Sequence, residues 1–306
     1  PEEEFDSFCQ GCGFPLGLGE LLLGDLGELQ ARSLIAASCT QPPLFLHASS
    51  LRGDPHKLLE SLSESGIGFD VMEDIPLCIK LHQAKDVTHP MVRAAIHEGR
   101  LIVSDLAAQT VAYECVRFGL PASLLEVGAG RGTKTVLIQS LAKALYGMQI
   151  PRHVCVDAVP SKRAKLLERA KLCEANVTEC LTADGAHLEQ ALAMEPFGVV
   201  LVDAPCSGLG TLRRHPEIVW RVGEEDILSL AALQERILMS VGGFAAPGGR
   251  LIYSTCTVTR QENEGVISSF LASPEGGHFT LQGGFQTLST ESGPDSHFCT
   301  VLRAEA

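Results

Sequence analysis

No run of about 18 apolar residues occurs in this 306-residue chain, so a membrane-spanning helix is not expected, although mean hydropathy is +0.15. The richest apolar stretches, 198–202 and 249–253, have strand length only. A basic excess is also missing. Lys and Arg total 24 against 37 Asp and Glu, for a net charge of −13. That balance runs against a nucleic-acid binder unless a basic groove sits on an acidic body, because attraction follows the local field. Cys9 and Cys12 form a lone Cys-x-x-Cys with no second pair and no spaced histidines nearby, so the pair reads as structural and no metal is expected. A secretory leader pattern is lacking. The 11 cysteines, an odd number, therefore read as reduced thiols of a cytoplasmic protein. The chain starts at Pro1 with no Met, as a trimmed chain or a fragment would. Neither an internal repeat nor a low-complexity tract is present.

What is there is ordinary globular composition. Hydrophobic residues make up 45% and charged residues 20%, which excludes wholesale disorder and a fibrous repeat. The length suits two domains, or one large domain with an attachment. Residues 1–41 read as an N-terminal helical segment, with Leu22, Leu26, Leu29 and Leu34 at helical spacing broken by Gly24 and Gly27. Residues 42–85 read as a small α+β module: a strand at 44–48, a helix opened by Asp54-Pro55, and strands at 69–72 and 77–81. Residues 86–306 read as a larger domain with a helical lead-in, including a short apolar run at 101–103 and a helix capped by Ser104-Asp105. From Leu124 onward, apolar strands alternate with amphipathic helices, the rhythm of an open parallel sheet. Strands are expected at 124–127, 153–156, 178–181, 199–202, 250–253 and near 298–302.

The first of these strands runs into Gly128-Ala129-Gly130-Arg131-Gly132-Thr133-Lys134-Thr135. Glycines let backbone approach a ligand, and the following helix N-terminus favours polar or anionic groups. A dinucleotide fingerprint would need its third glycine at Thr133. A phosphate-binding loop would also need glycine there, before Lys134-Thr135. Glu126 followed by Gly128, Gly130 and Gly132 instead fits the pattern of S-adenosylmethionine-dependent methyltransferases. Asp157, Asp184 and Asp203 follow the next three strands, at the carboxyl edge where open α/β sheets bind ligands. Asp157 is the candidate for ribose hydroxyls and Asp184 for the neighbourhood of adenine. A helix cap is the plainer role for any one of them.

Two cysteines stand just after central strands, in Asp203-Ala204-Pro205-Cys206-Ser207-Gly208-Leu209-Gly210-Thr211-Leu212-Arg213-Arg214 and in Tyr253-Ser254-Thr255-Cys256-Thr257. These motifs closely resemble those of the Sun/Fmu (RsmB-like) RNA cytosine-5 methyltransferases. The segment 104–109 resembles that family's Gln-Asp-x-Ala-Ser-Gln, and 294–298 its Asp-Gly-Phe-Phe strand. The resemblance spans about residues 42–303. It departs at the first motif, where the family's Ala-Pro-Gly-Gly-Lys-Thr is replaced by Gly-Arg-Gly-Thr-Lys-Thr.

The resemblance implies an α/β fold, a Rossmann-like seven-stranded class I methyltransferase domain preceded by a small α+β RNA-binding module. Some relatives carry a further N-terminal helical domain, for which this chain is too short at that end. It also implies S-adenosylmethionine as cofactor, held by residues 128–134 (Gly128, Ala129, Gly130, Arg131, Gly132, Thr133 and Lys134) with Asp157, Asp184 and Asp203. The implied substrate is RNA, with rRNA the expected class and the target cytosine single-stranded or flipped. Cys256 is then the nucleophile that adds to carbon 6, Cys206 assists release, and Asp203 meets the base edge. Sequence alone does not order the two thiols, since DNA cytosine methyltransferases attack with a Pro-Cys cysteine. Arg213, Arg214 and Arg221, with Trp220, are expected to line the RNA path, and Lys80, Lys85, Arg93 and Arg100 form a second basic set. A monomer is expected. The rival readings are a tRNA or DNA substrate, and a non-catalytic RNA-binding or ribosome-assembly protein on the same fold.

Overall fold

The computed structural model describes residues 2–305; Pro1 and Ala306, the ends of the expected first and last segments, lie outside the described residues. Helices α1 (Glu2–Gly11), α2 (Leu16–Leu26) and α3 (Glu28–Ser38) come first, with Gly27 separating the second and third. Their apolar residues, Leu18, Leu22, Leu34 and Ile35 among them, pack on Leu209, Leu212, Ile227 and Val258. The N-terminal helices thus cover the loops that carry the two cysteine motifs.

A four-stranded antiparallel sheet follows, built from β1 (Phe45–Ala48), α4 (Pro55–Glu64), β2 (Phe69–Val71), β3 (Cys78–Leu81), α5 (Pro90–His97) and β4 (Leu101–Val103). Its order is β2-β3-β1-β4. Asp54 caps α4 by accepting from the His56 and Lys57 amides, and Pro55 stands in the first turn, as the Asp-Pro signal predicts. The run at 101–103, expected in the lead-in of the larger domain, is instead β4, an edge of this small sheet paired with β1. A three-residue strand is too short for its pattern to reveal its partner.

Helix α6 (Leu106–Glu114) leads into β5 (Ser123–Val127), α7 (Thr133–Tyr146), β6 (Arg152–Asp157), α8 (Pro160–Cys173), β7 (Glu179–Thr182), β8 (Phe197–Asp203), α9 (Glu224–Gly242), β9 (Ala245–Thr255), α10 (Val266–Ala272), β10 (Phe279–Thr287) and β11 (His297–Ala304). The sheet order is β10-β11-β9-β8-β5-β6-β7. The five strands from β9 to β7 are parallel, whereas β11 lies antiparallel to β9 and β10 to β11. This is the Rossmann-like seven-stranded methyltransferase architecture. All six expected strands are present. The seventh, β10, escaped the sequence because it is largely solvent-exposed and carries a register shift between Leu281 and Gly283. One face of the sheet buries Ile237, Leu238, Val241 and Phe270 from α9 and α10; the other buries Val111, Val136, Leu137 and Leu141 from α6 and α7.

The small sheet is fastened to this second face by polar contacts. His47 on β1 bonds Ser140 on α7 (2.8 Å) and Gln109 on α6 (3.3 Å). Burial pushes the His47 imidazole down to about 4, so it is a neutral hydrogen-bonding group here. The Ser50 hydroxyl donates to the Ser140 carbonyl at 2.6 Å.

The Arg213-Arg214 pair corrects the expectation that both line an RNA path. Arg213 is only 9% exposed and donates to the carbonyls of Thr290, Gly293 and Pro294 and to Asp295. Arg214 bonds Asp295 (2.5 Å), Asp105 (3.2 Å) and the Pro43 carbonyl (3.4 Å). The dipeptide is internal clamping, and it ties the lead-ins of β1, α6 and β11 together. Trp220, by contrast, is 72% exposed, and Arg221 is exposed beside it.

Replacing Arg214 with Met would leave Asp105 facing Asp295 without a cation of its own, and Asp295 with Arg213 alone. A loss of about 2–3 kcal/mol in urea unfolding at pH 7 is expected, less than for a fully buried pair because the guanidinium side chain is 29% exposed. Burial, then the charge of Asp295, already holds Asp105 above the usual carboxylate range. The folded state therefore takes up a proton more readily than the unfolded chain, and the penalty should shrink as pH falls from 7 toward that raised value. A penalty that grows on acidification would refute this account.

Candidate active site

The carboxyl edge of the parallel strands surrounds a cavity of about 500 Å³. Its walls are apolar, with Val127, Val156, Val202, Leu233 and Ile237 among them, and Asp157, Asp184 and Asp203 stand at its strand ends. Gly128 makes the first turn possible. It has φ of 80°, and a Cβ there would lie 2.1 Å from the Asp203 carbonyl oxygen. The turn after β5 therefore presses against the end of β8, and any side chain would force the two apart.

Of the predicted cofactor residues, Gly128, Gly130, Asp157, Asp184 and Asp203 line this cavity. Asp157 accepts from the Gly130 and Val159 amides, both at 2.9 Å. A carboxylate has about four acceptor positions, so capacity remains for ligand hydroxyls. Asp184 accepts from the Ala186 amide and so caps its own turn as well as lining the wall. The rest of the glycine loop turns elsewhere. Ala129 is buried with Cys155, Leu166 and Cys180; Gly132 abuts Leu166; Thr133 accepts from Arg169 at 2.7 Å; Arg131 lines a different cavity. Sequence order put these residues beside the ligand, but the sharp turn directs alternate residues away from it. Apolar walls for an adenine ring and strand-end carboxylates for hydroxyls are the donor set that S-adenosylmethionine requires, and the residues present fit it.

Lys134 leaves the loop for the reaction end. Its ammonium donates to Asp203 at 2.7 Å. Burial alone would lower the Lys134 pKa, but the charge and hydrogen bond of Asp203 outweigh it and hold it above the ordinary value. At the same rim Cys206 Sγ and Cys256 Sγ are 3.4 Å apart. The two thiols differ in kind. The hydrogen bond between them, with the Lys134 charge in support, lowers Cys256 against burial and the nearby Asp203, whereas the same bond and burial push Cys206 well up. Cys256 is the thiolate-prone sulfur and Cys206 the donor.

Sequence reasoning missed what holds the pair. Glu262 is fully buried. Its carboxylate accepts from the Ser207 amide (2.8 Å), the Ser207 hydroxyl (2.6 Å), the Thr259 hydroxyl (2.8 Å), the Thr257 hydroxyl (3.2 Å) and Gln234 Nε2 (3.1 Å). Ser207 follows Cys206 and Thr257 follows Cys256, so one carboxylate grips both cysteine loops. It sits in a π-helical turn, 261–265, the kind of irregularity that clusters at functional sites. Gly210 adds a second stitch: its amide donates to the Cys256 carbonyl and its carbonyl accepts from the Ser296 amide, both at 2.9 Å. The Glu262-Asn263-Glu264 run just after the second cysteine motif was the available signal.

His297 was also unforeseen. Extending the β9–β11 register by one residue sets it opposite Cys256. Burial, then the Lys134 charge, pushes its imidazole down to about 3, and neither ring nitrogen has a hydrogen-bond partner among the described residues. Glu126, by contrast, faces the interior. It accepts from Thr135 (2.7 Å) and bonds His153 (3.0 Å), away from the cavity.

The sheet order, the glycine turn and the strand-end carboxylates define a class I methyltransferase domain. A family model described as 16S rRNA methyltransferase RsmB/F matches residues 121–290, and the chain belongs to that family. Among similar proteins is ribosomal RNA small subunit methyltransferase B of Photorhabdus laumondii subsp. laumondii, 33% identical over 245 residues, covering 79% of this chain and 54% of the relative. The protein of the same name from Xylella fastidiosa (strain Temecula1) is 31% identical over 263 residues, covering 85% and 57%. The chain thus spans somewhat over half the length of these relatives. Two solved structures share the fold. One, described as PH0851, has a TM-score of 0.83 at 23% identity, covering 99% of this chain and 68% of that one. The other, NSun6 from Pyrococcus horikoshii with SFG, has a TM-score of 0.75 at 15% identity, covering 96% and 99%.

Iodoacetamide labelling followed residue by residue with mass spectrometry should find Cys256 reacting with a midpoint below 9 and Cys206 only well above it. In Glu262→Gln the two loops lose their common anchor, and the rate ratio between the thiols should fall at least about tenfold. Equal labelling of both thiols in the unaltered protein would overturn the assignment of the thiolate.

Proposed function

We propose that this chain methylates carbon 5 of a cytosine in RNA, with rRNA the expected class, through a covalent bond between Cys256 and the base. The observation that carries the reading is the unequal thiol pair at the rim of the cavity, beside the Lys134–Asp203 ion pair. S-adenosylmethionine, bound in that cavity, would supply the electrophilic methyl group. Cytosine carbon 5 is a poor nucleophile on its own. Addition of the Cys256 thiolate to carbon 6 forms a carbon–sulfur bond and moves the ring's π electrons toward carbon 5, which can then take up a methyl group. Asp203, steadied by Lys134, is assigned to the polar edge of the ring. Release requires loss of the carbon 5 proton to a base, return of that electron pair to the ring double bond, and departure of Cys256 as thiolate. Cys206 is the residue assigned to that stage: once Cys256 is bonded to carbon 6, Cys206 gives its own proton to solvent and, as thiolate, accepts the carbon 5 proton. The target base has to leave any duplex to reach this rim. The small sheet on β1–β4 is assigned to RNA binding.

Cys256→Ala should give neither methylation nor an adduct. Cys206→Ala should still attack, then stall, and accumulate an RNA–protein adduct that survives a denaturing gel and depends on S-adenosylmethionine. An adduct in the Cys256 variant alone would reverse the roles, and near-normal turnover in both would end the covalent reading.

Asp157→Ala should weaken S-adenosylmethionine binding, measured by calorimetry, by ~1–3 kcal/mol, the usual cost of an unpaired buried polar group. Unchanged affinity would remove Asp157 from the cofactor site.

A further inference from the structure

With Arg213 and Arg214 committed internally, the phosphates of an RNA strand need other cations. Helix α8 supplies them. It carries Lys162, Arg163, Lys165, Arg169 and Lys171 against the single acidic residue Glu168, on a chain whose net charge is −13. Lys162, Lys165 and Arg169 are spaced three and four residues apart and therefore share one helix face. Lys162 lines the cofactor cavity, 3.6 Å from the Asp157 carboxylate. Farther along the helix, Lys165 and Arg169 line a second cavity of about 500 Å³, which Arg131 of the glycine loop joins from the side.

This second cavity lies between α8 and the small sheet. Leu101, Ile102 and Val103 of β4 form its opposite wall, and Leu172 closes its lower end. Val103 and Leu172 are each 44% exposed, an apolar pair that a sugar or base edge could cover. Among the described residues, neither Arg131 nor Lys165 has a carboxylate within salt-bridge distance. Arg169 is held by Thr133, which fixes its guanidinium beside the cavity. Glu168 is the one anion on the lining.

We propose that the groove between α8 and β4 binds the sugar–phosphate backbone of the substrate RNA, with Arg131, Lys165 and Arg169 on successive phosphates. This rests on the RNA reading above and names a surface for it. The eight residues from Lys162 to Arg169 span about 10 Å of helix. That length matches about two or three phosphates of one strand. The groove lies at the seam between the two sheets, so a strand lying in it touches the small sheet and the methyltransferase domain together. Unpaired cations on an otherwise acidic surface give this strip a local field opposite to that of the body. The occupant's charge follows from that field, and the apolar floor beside the cations favours nucleic acid over a bare polyanion.

Filter binding of an in vitro transcript of small-subunit rRNA, from low to moderate salt, tests the groove. Arg131→Glu/Lys165→Glu should weaken binding at least tenfold at low salt and make the slope of log affinity against log salt shallower by about 1 to 2. Lys165→Arg should keep both. Lys165→Glu alone should keep its melting temperature and its calorimetric affinity for S-adenosylmethionine. A double variant with unaltered slope, in a protein that still binds and methylates the transcript, would overturn the groove and leave the RNA reading standing. Equal weakening for a heparin competitor and for RNA would also overturn it, by showing general polyanion attraction. An unaltered protein that binds no transcript would overturn both.

Discussion

A single buried carboxylate, with no cation at salt-bridge distance among the described residues, organises the rim that carries the two cysteines. Glu262 is charge-stabilised by hydroxyls, one amide and Gln234, and those donors come from both cysteine loops and from α9. Burying an unpaired carboxylate is costly unless its acceptor positions are filled, so the surrounding chain has little freedom to rearrange without exposing that cost. The 3.4 Å between the sulfurs follows from this arrangement, because Cys206 and Cys256 are each one residue from a Glu262 donor. The negative charge also acts on chemistry. It is among the influences that hold Cys206 protonated, which in turn lets Cys206 donate to Cys256. Geometry and protonation therefore come from the same group.

Charge distribution resolves the tension between an acidic chain and an RNA-methyltransferase family. The total of −13 describes the body, whereas binding responds to what lies within a Debye length of a groove. Helix α9 opens with Glu224, Glu225 and Asp226, while α8 is strongly basic. The two helices lie on opposite faces of the sheet, so one molecule can repel polyanions on one side and attract them on the other.

The parts of this structure that could be read from sequence are those whose local pattern has one meaning. Strands buried on both faces appear as unbroken apolar runs, which is why β5, β6, β8 and β9 were evident. The strand-end aspartates were evident too, because their position follows from the strands. β10 was not, since an exposed, bulged edge strand has no such run. Arg213-Arg214 reads the same in one dimension whether it faces phosphates or the carbonyls of residues 290–294. The cofactor loop showed the same limit: its residues are contiguous, but Arg131 and Gly130 face different cavities. The grip of Glu262 on Ser207 joins positions 55 residues apart and exists only once β8 and β9 are adjacent.

Arg214 joins Pro43, Asp105 and Asp295, and Gly210 joins Cys256 to Ser296. These contacts have a consequence in time. A chain made from its N-terminus can form the small sheet and the β5–α7–β6 unit early, but β11 enters the sheet between β10 and β9 and is made after both. Until residues 293–304 have been synthesised, β9 has an open edge and the loop holding Cys256 lacks one of its two walls. Such an incomplete sheet exposes a strand edge and the Cys256 thiol together. Insertion of one strand, β11, thus closes the sheet and completes the surroundings of the two cysteines at once.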